Sequence, residues 1–342
     1  MKLGQLTADN LGMNQIFGLV ESFSDDYFCN LCFATREDMQ TFEKEEDFEL
    51  RCPREYEIYI SMLDNLPPGR THFRGVKSEC ALNELDYYHI MLNWINDSMH
   101  SVLEGFGPVW GIYWVSGNIL HSISEIEDKV TVAQINVEFE KLFGSLIVDK
   151  HNAPCELKQL LEPGDGFSPK MSAAQSLALI RYLPHVLCVL TENDEACFPY
   201  IDLLLTLQEI FNLVFAPKLT DSLLAYFSSL ITSFISKFKA CYPHTNIRPK
   251  MHFLIHYPSI VKGNGPLRNF WCMNFERLNG AVKVPVHVMK NFKSPLYTIA
   301  YKRQCASLSL LLERKTSHDF VTLPKKTSDT PTDEIATADN FF

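Results

Sequence analysis

Two pairs of side chains in this sequence have the types and the spacing to hold a metal ion. Cys29-x2-Cys32 offers two thiols that one tetrahedral Zn2+ could take as thiolates, and a closed site would then need two more ligands. No second C-x-x-C occurs in the chain. His252 and His256 lie four apart in KMHFLIHYP, so a helix would present both imidazoles on one face and complete a Cys2His2 set. Cys52, His72 and His100 are alternative ligands. A His pair on a short helix is also common at a core edge or on a surface, and spacing alone leaves both readings open.

Three carboxylates stand out beside them. Asp9 ends the alternating stretch KLGQLTADN, which reads as a short strand running into a turn. Asp97 and His100, in NDSMHSVLEG, lie about one helical turn apart, and Asp97 reads equally well as a helix N-cap. Glu276 is the one acid between Arg248 and Arg303, against ten Lys and Arg. That leaves +9 on this segment, and the chain's net charge of −10 leaves −19 on the remainder. A basic segment within an acidic protein suits a phosphate-binding surface, and it suits a solvated face paired with acidic neighbours as well. The plain reading of Glu276 is an ion pair that neutralises part of that face.

The elements that must position these residues are mostly helical. Capping-box spacing at Ser172 and Gln175 opens a helix on which Leu179, Leu183, Val186 and Leu190 recur at helical intervals, with Pro184 expected to kink it. Leu223, Phe227, Leu230, Phe234 and Phe238 predict one apolar helix face ending near Pro243. Further helices are expected near 97–115, 131–144, 199–215, 250–257 and 296–313. The acid-rich stretch from Arg36 to Glu57 lacks an apolar stripe and reads as an exposed loop or linker without a site. The Thr- and Asp-rich end of the chain reads as disordered.

Composition narrows the classes. A chain of 342 residues that is 46% apolar, with 24 Phe, can fill a substantial core. No secretory leader and no uninterrupted apolar run of about 18 residues is present, so a soluble, non-secreted chain with no membrane partner is expected. Ten cysteines then read as reduced thiols. Phosphate-cradling G-x-G-x-x-G and P-loop motifs and the G-x-S-x-G elbow are absent, which argues against nucleotide hydrolysis and serine-hydrolase chemistry.

Four blocks together resemble a known family. LTADNLGMNQIFGLVESFSDDYFCNLC, HIMLNWINDSMHSVLEG, KMSAAQSLALIRYLP and KMHFLIHYPSIVKGNGPLRNFWCMNFERLNGAVK are similar, in the same order, to segments of CACTA-type DNA transposases and related animal transposon-derived proteins. The blocks span most of residues 5–300. The resemblance implies an RNase H-like catalytic core, interrupted by a helical insertion, in which three carboxylates hold two Mg2+ ions for phosphoryl displacement on DNA. Asp9 matches the second acid, Glu276 the third, and Asp97 with His100 the D-x-x-H element. Lys250, Lys262, Arg268, Arg277 and Lys283 become the candidate DNA contacts.

The expected fold is therefore mainly α with a truncated α/β RNase H-like remnant, the helical insertion lying between the strand-end Asp and the late Glu. Expected domains are a remnant over 1–92, a helical region over 93–247, a basic helical block over 248–315 and a tail over 316–342. The first catalytic Asp would lie before Met1, so the expected function is a transposase-like fragment with little or no activity. A non-enzymatic DNA- or protein-binding helical module is the alternative. By resemblance the location is nuclear, otherwise cytoplasmic; the cofactors are Mg2+ and Zn2+, the partner is DNA, and an oligomer is left open.

Overall fold

A computed structural model describes residues 6–93, 95, 97–103, 112–126, 130–146, 149–157, 171–192, 194–273 and 294–316. Met1–Cys272 form one compact unit and Met273–Phe342 another, so the boundaries expected at 92 and 247 fall inside the first unit. The expected tail beyond Thr316 lies outside the described residues.

The protein is mainly helical. In chain order the first unit carries α1 (Asn10–Ile16), α2 (Asp38–Thr41), α3 (Pro53–Met62), α4 (Ile112–Ile126), α5 (Val132–Ser145), α6 (Ala173–Leu190), α7 (Phe198–Val214), α8 (Asp221–Cys241), α9 (Pro249–Phe253) and α10 (Tyr257–Asn264). The described residues form no sheet, and their named β-pairings are the isolated antiparallel bridges Leu19 to Val76, Cys32 to Leu50 and Phe73 to Val76. Of the strand expected to end at Asp9, residues 1–5 lie outside the described residues and Leu6 is in an isolated bridge. Asp9 is the N-cap of α1, because its Oδ1 accepts from Gly12 N at 2.7 Å and Asn10 already begins the helix.

Where a helix was expected near 97–115, a π-helical turn covers Met99–Leu103, residues 104–111 lie outside the described residues and α4 runs to Ile126, whereas α5 to α8 follow their sequence signals closely. Ser172 and Gln175 exchange hydrogen bonds at the start of α6, Gln175 N donating to Ser172 Oγ and Ser172 N to Gln175 Oε1, and the helix continues through a buried Pro184. Helix α7 packs against α6 and α8, α5 against α6, and α10 against α8. Phe227, Leu230, Phe234 and Phe238 line the buried face of α8 as expected, whereas Leu223, in the first turn beside the Thr220 cap, is 39% exposed. Helix α6 and the stretch Glu195–Val214 are long and apolar enough to cross a membrane, yet 50% and 56% of each is buried inside the fold. That burial is what core helices of a helical body show.

The N-terminal third packs around a second apolar cluster of Met13, Phe17, Leu19, Phe33, Tyr56, Tyr59, Val76, Cys80, Tyr88 and Ile90. The stretch 36–57, expected as a loop without a site, instead holds α2, a 3-10 turn at Glu45–Asp47 and the start of α3. Glu37, Glu46, Asp47 and Glu49 face outward while Met39, Phe48 and Arg51 turn in, so an irregular pattern of apolar residues hid an ordered segment. A two-residue hairpin turn closes Phe73 onto Val76, with mutual backbone bonds of 2.9 Å and positive φ at Arg74 (45°) and Gly75 (86°). Left-handed backbone at Arg74 is uncommon for a residue with a Cβ. Its side chain is fixed in return by donating to Tyr59 Oη at 3.0 Å.

In the second unit, α11 (Pro295–Thr316) covers the helix expected over 296–313. Leu296, Tyr297, Tyr301 and Leu308 are exposed on it, and the Tyr297 and Tyr301 rings stack.

Candidate metal centre

Cys29 and Cys32 sit on a tight loop pinned from two sides. Phe33 N donates to Glu49 O at 3.0 Å and Arg51 N to Leu31 O at 2.8 Å, so the loop leaves the centre by a short antiparallel pairing. The loop's apex is tied to α1, since Asn30 Nδ2 donates to Asn14 Oδ1 and Asn14 Nδ2 donates to Val20 O at 2.8 Å.

The histidines come from the other end of the fold. Pro249 opens α9, His252 follows on it, and a 3-10 turn at Leu254–His256 intervenes before α10. Pro258 in the first turn of α10 has no N–H to give to Leu254 O, and Tyr257 N donates there instead. The turn still leaves both rings on one side.

Across 220 residues of sequence, Cys32 Sγ lies 3.2 Å from His252 Nε2. Cys29 Sγ lies 3.5 Å from His256 Nε2, and the two Nε2 atoms are 3.3 Å apart. All four ligand atoms fall within 4.8 Å of one another and all four residues are buried. A tetrahedral ion with Zn–S near 2.3 Å and Zn–N near 2.05 Å has S···N edges of about 3.5 Å and N···N edges of about 3.3 Å. The donor set and its spacing fit Zn2+, and the two thiolates would leave a buried, electrically neutral complex.

Surrounding groups fix the ligands. His256 Nδ1 lies 2.7 Å from Glu45 Oε1, and Ser259 Oγ donates to Glu45 Oε2. A carboxylate on one ring nitrogen leaves the other free for the metal, the usual arrangement behind a zinc histidine. Arg51 Nε donates to the carbonyls of Cys29 at 2.9 Å and Cys32 at 3.2 Å, and its Nη1 donates to Arg74 O at 2.8 Å. Its guanidinium stacks on Phe33 at 4.5 Å. Phe28 and Phe48 meet the His252 ring edge-on at 5.4 and 4.9 Å, excluding water.

Without an ion, the four groups share protons unevenly. Burial works to raise the Cys29 thiol, but the Cys32 S–H and the charges of His256 and His252 outweigh it and hold Cys29 well below its usual range. Burial and the neighbouring Cys29 thiolate push Cys32 up. Burial opposes the His256 imidazolium, yet Cys29 and Glu45 lift it to about 9. Burial depresses His252. Cys29 and His256 are thus pushed toward their charged forms, and Cys32 and His252 toward their neutral ones. Of the alternative ligands, Cys52 faces Glu55 at 3.7 Å and His72 pairs with Asp25 at 2.9 Å.

A second convergence involves the other sequence candidates. Asp97 is fully buried, and its carboxylate accepts from Met99 N at 3.1 Å and His100 N at 3.3 Å, the cap reading, while also engaging His100 Nδ1. Cys272 N donates to the same carboxylate at 2.9 Å from 175 residues away. Asp97, His100 and Cys272 make up the second metal-competent group among the described residues, and Asp9 belongs to neither group.

The bases divide. Lys250, expected among the DNA contacts, is corrected: it is buried, donates to His100 O at 3.0 Å, and burial lowers it to about 8. Lys262 is exposed at the end of α10 and Arg268 is half-buried. Glu276, Arg277 and Lys283 lie outside the described residues. Sequence reasoning missed Glu45 and Arg51, whose only signal was a buried-type residue pattern within an acidic stretch. A scan against protein-family models finds no match to the chain, and a search of the curated proteins likewise finds none.

Proposed function

We propose that this chain is a zinc-stapled helical module of transposase descent that contacts DNA. The observation that carries the reading is the Cys29, Cys32, His252 and His256 cluster, because it joins the first and last of the four resembling blocks at one point. Zn2+ bound there supplies a structural cross-link. On this reading the N-terminal third is a remnant of an RNase H-like core and α4 to α8 are the helical insertion. The parent activity is Mg2+-dependent DNA cleavage and strand transfer with Asp9 and Glu276 as ligands, and the location is nuclear. Lys262, Arg268, Arg277 and Lys283 are the phosphate contacts.

A non-enzymatic binding module is favoured by one specific observation: Asp9 caps α1 by accepting from the Gly12 N–H, and among the described residues it belongs to no metal-competent group.

Purified protein tests both readings. Duplex binding should weaken steeply with rising salt, and Lys262→Ala, with Arg268, Arg277 and Lys283 left intact, should lower the salt slope by about one. Binding indifferent to salt would remove DNA as the partner. Mg2+-dependent nicking that disappears in Glu276→Gln would favour the enzymatic reading over the binding module.

A further inference from the structure

Three protein donors converge at a second point that the zinc reading leaves unused. One oxygen of Asp97, one ring nitrogen of His100 and the Cys272 sulfur all lie within 4.8 Å of one another, with Asp97 and Cys272 buried and His100 nearly so. Asp97 and His100 flank the start of a single π-helical turn, Met99–Leu103, that packs against α6 and α9. Such turns are rare and concentrate at functional sites. Cys272 arrives from the far end of the unit and is held there by its own N–H on Asp97.

The neighbourhood is polar and incompletely satisfied. Ser98 Oγ, beside Asp97 in the chain and 1% exposed, has no hydrogen-bond partner. Asn10, whose Nδ2 donates to Ser101 Oγ at 2.7 Å on the π-helical turn, leaves its Oδ1 without a partner. Buried polar atoms are normally paired, so two unpartnered ones, one next to Asp97 in the chain and one on a side chain bonded to the π-helical turn, are exceptions on the segment that carries Asp97 and His100.

We propose that Asp97, His100 and Cys272 form a second metal site, for a borderline divalent transition ion of the zinc class. Imidazole and thiolate select such ions and disfavour Mg2+, which takes oxygen ligands. A carboxylate and a thiolate neutralise a dication, so the loaded site is uncharged in its buried setting. The three ligands among the described residues are one fewer than the set at Cys29, and a fourth ligand completes the tetrahedron. This site stands whether or not the transposase reading does.

Co2+ reports both sites, because thiolate-to-cobalt charge transfer scales with the thiolates bound. Titration of the metal-free full chain with Co2+ should take up two equivalents in separable steps. Cys272→Ser and Asp97→Asn should each drop the capacity to one equivalent, with Cys272→Ser removing the weaker charge-transfer step and leaving the two-thiolate spectrum of the first centre. Should either variant fail to fold, the wild-type titration decides: a single equivalent with only the two-thiolate spectrum overturns the proposal. Two equivalents that persist in a folded Cys272→Ser chain with unchanged charge-transfer intensity overturn it equally.

Discussion

The Glu45 carboxylate stands 2.7 Å from Nδ1 of His256, on the side of the ring opposite the metal cluster. It holds the ring with Nε2 aimed at Cys29 and His252, and it compensates positive charge that builds on the imidazole. Glu45→Gln keeps the shape and removes that charge, so zinc affinity should fall about 10–100-fold. Competition with a chromophoric chelator measures it. An unchanged affinity would mean that the carboxylate only decorates the ring.

Zinc loading should also release protons. Burial and Cys29 push the Cys32 thiol up and Cys29 with Glu45 lift His256 to about 9, whereas a metal takes the thiolate and the neutral imidazole, so both groups give up protons to become ligands. Loading is therefore weaker at lower pH. Calorimetry in buffers of different ionisation enthalpy should show a buffer-dependent heat; heats that are the same in every buffer would contradict the proton inventory.

Arg51 is the brace of the cysteine loop. Removing its side chain leaves the Cys29, Cys32 and Arg74 carbonyls short of donors, so Arg51→Ala should cost about 3 kcal/mol or more. Gly75→Ala attacks the same brace from the other side: a Cβ there would lie 2.9 Å from Arg51 Nη2, on a backbone with φ of 86°. Urea unfolding of both variants with zinc bound tests whether they fail alike.

Those residues also mark where the sequence was legible. The helices α5 to α8 announced themselves through caps and periodic Leu and Phe, and the ligand set through two short spacings, since both are local patterns. Glu45 and Arg51 act across long separations from an acid-rich stretch whose composition resembled a linker. Nothing local distinguishes an acid that faces water from one that reaches a histidine 211 residues away. At Asp9 the sequence reading stopped at the turn: an Asp after an alternating run also suits a helix N-cap, and Asp9 caps α1.

Alkaline solution should unfold the protein cooperatively. Burial raises Tyr56 and Tyr88 to about 12 and pushes Tyr242 and Tyr257 up as well, from an ordinary value of 10.0. A folded pKa above the unfolded one gives stability that is complete below pH 10.0 and is lost as pH climbs through the folded values. Lys250 works oppositely, gaining stability between about 8 and 10.5, but it is one group against four. Tyrosinate absorbance and helical circular dichroism should change together. Smooth titration near the ordinary value, with the helices intact, would show the rings open to water.

The separation of 220 positions from Cys32 to His252 also sets a clock. At ribosomal rates of about 5–20 residues per second, the cysteine loop waits roughly 10–45 s for its histidines to be synthesised. Throughout that interval Cys29 and Cys32 can hold an ion with only half its ligands, or pair with a wrong thiol such as Cys52. Completion of the centre therefore waits for the distant histidines, and the cysteine loop is locked only once they have been made.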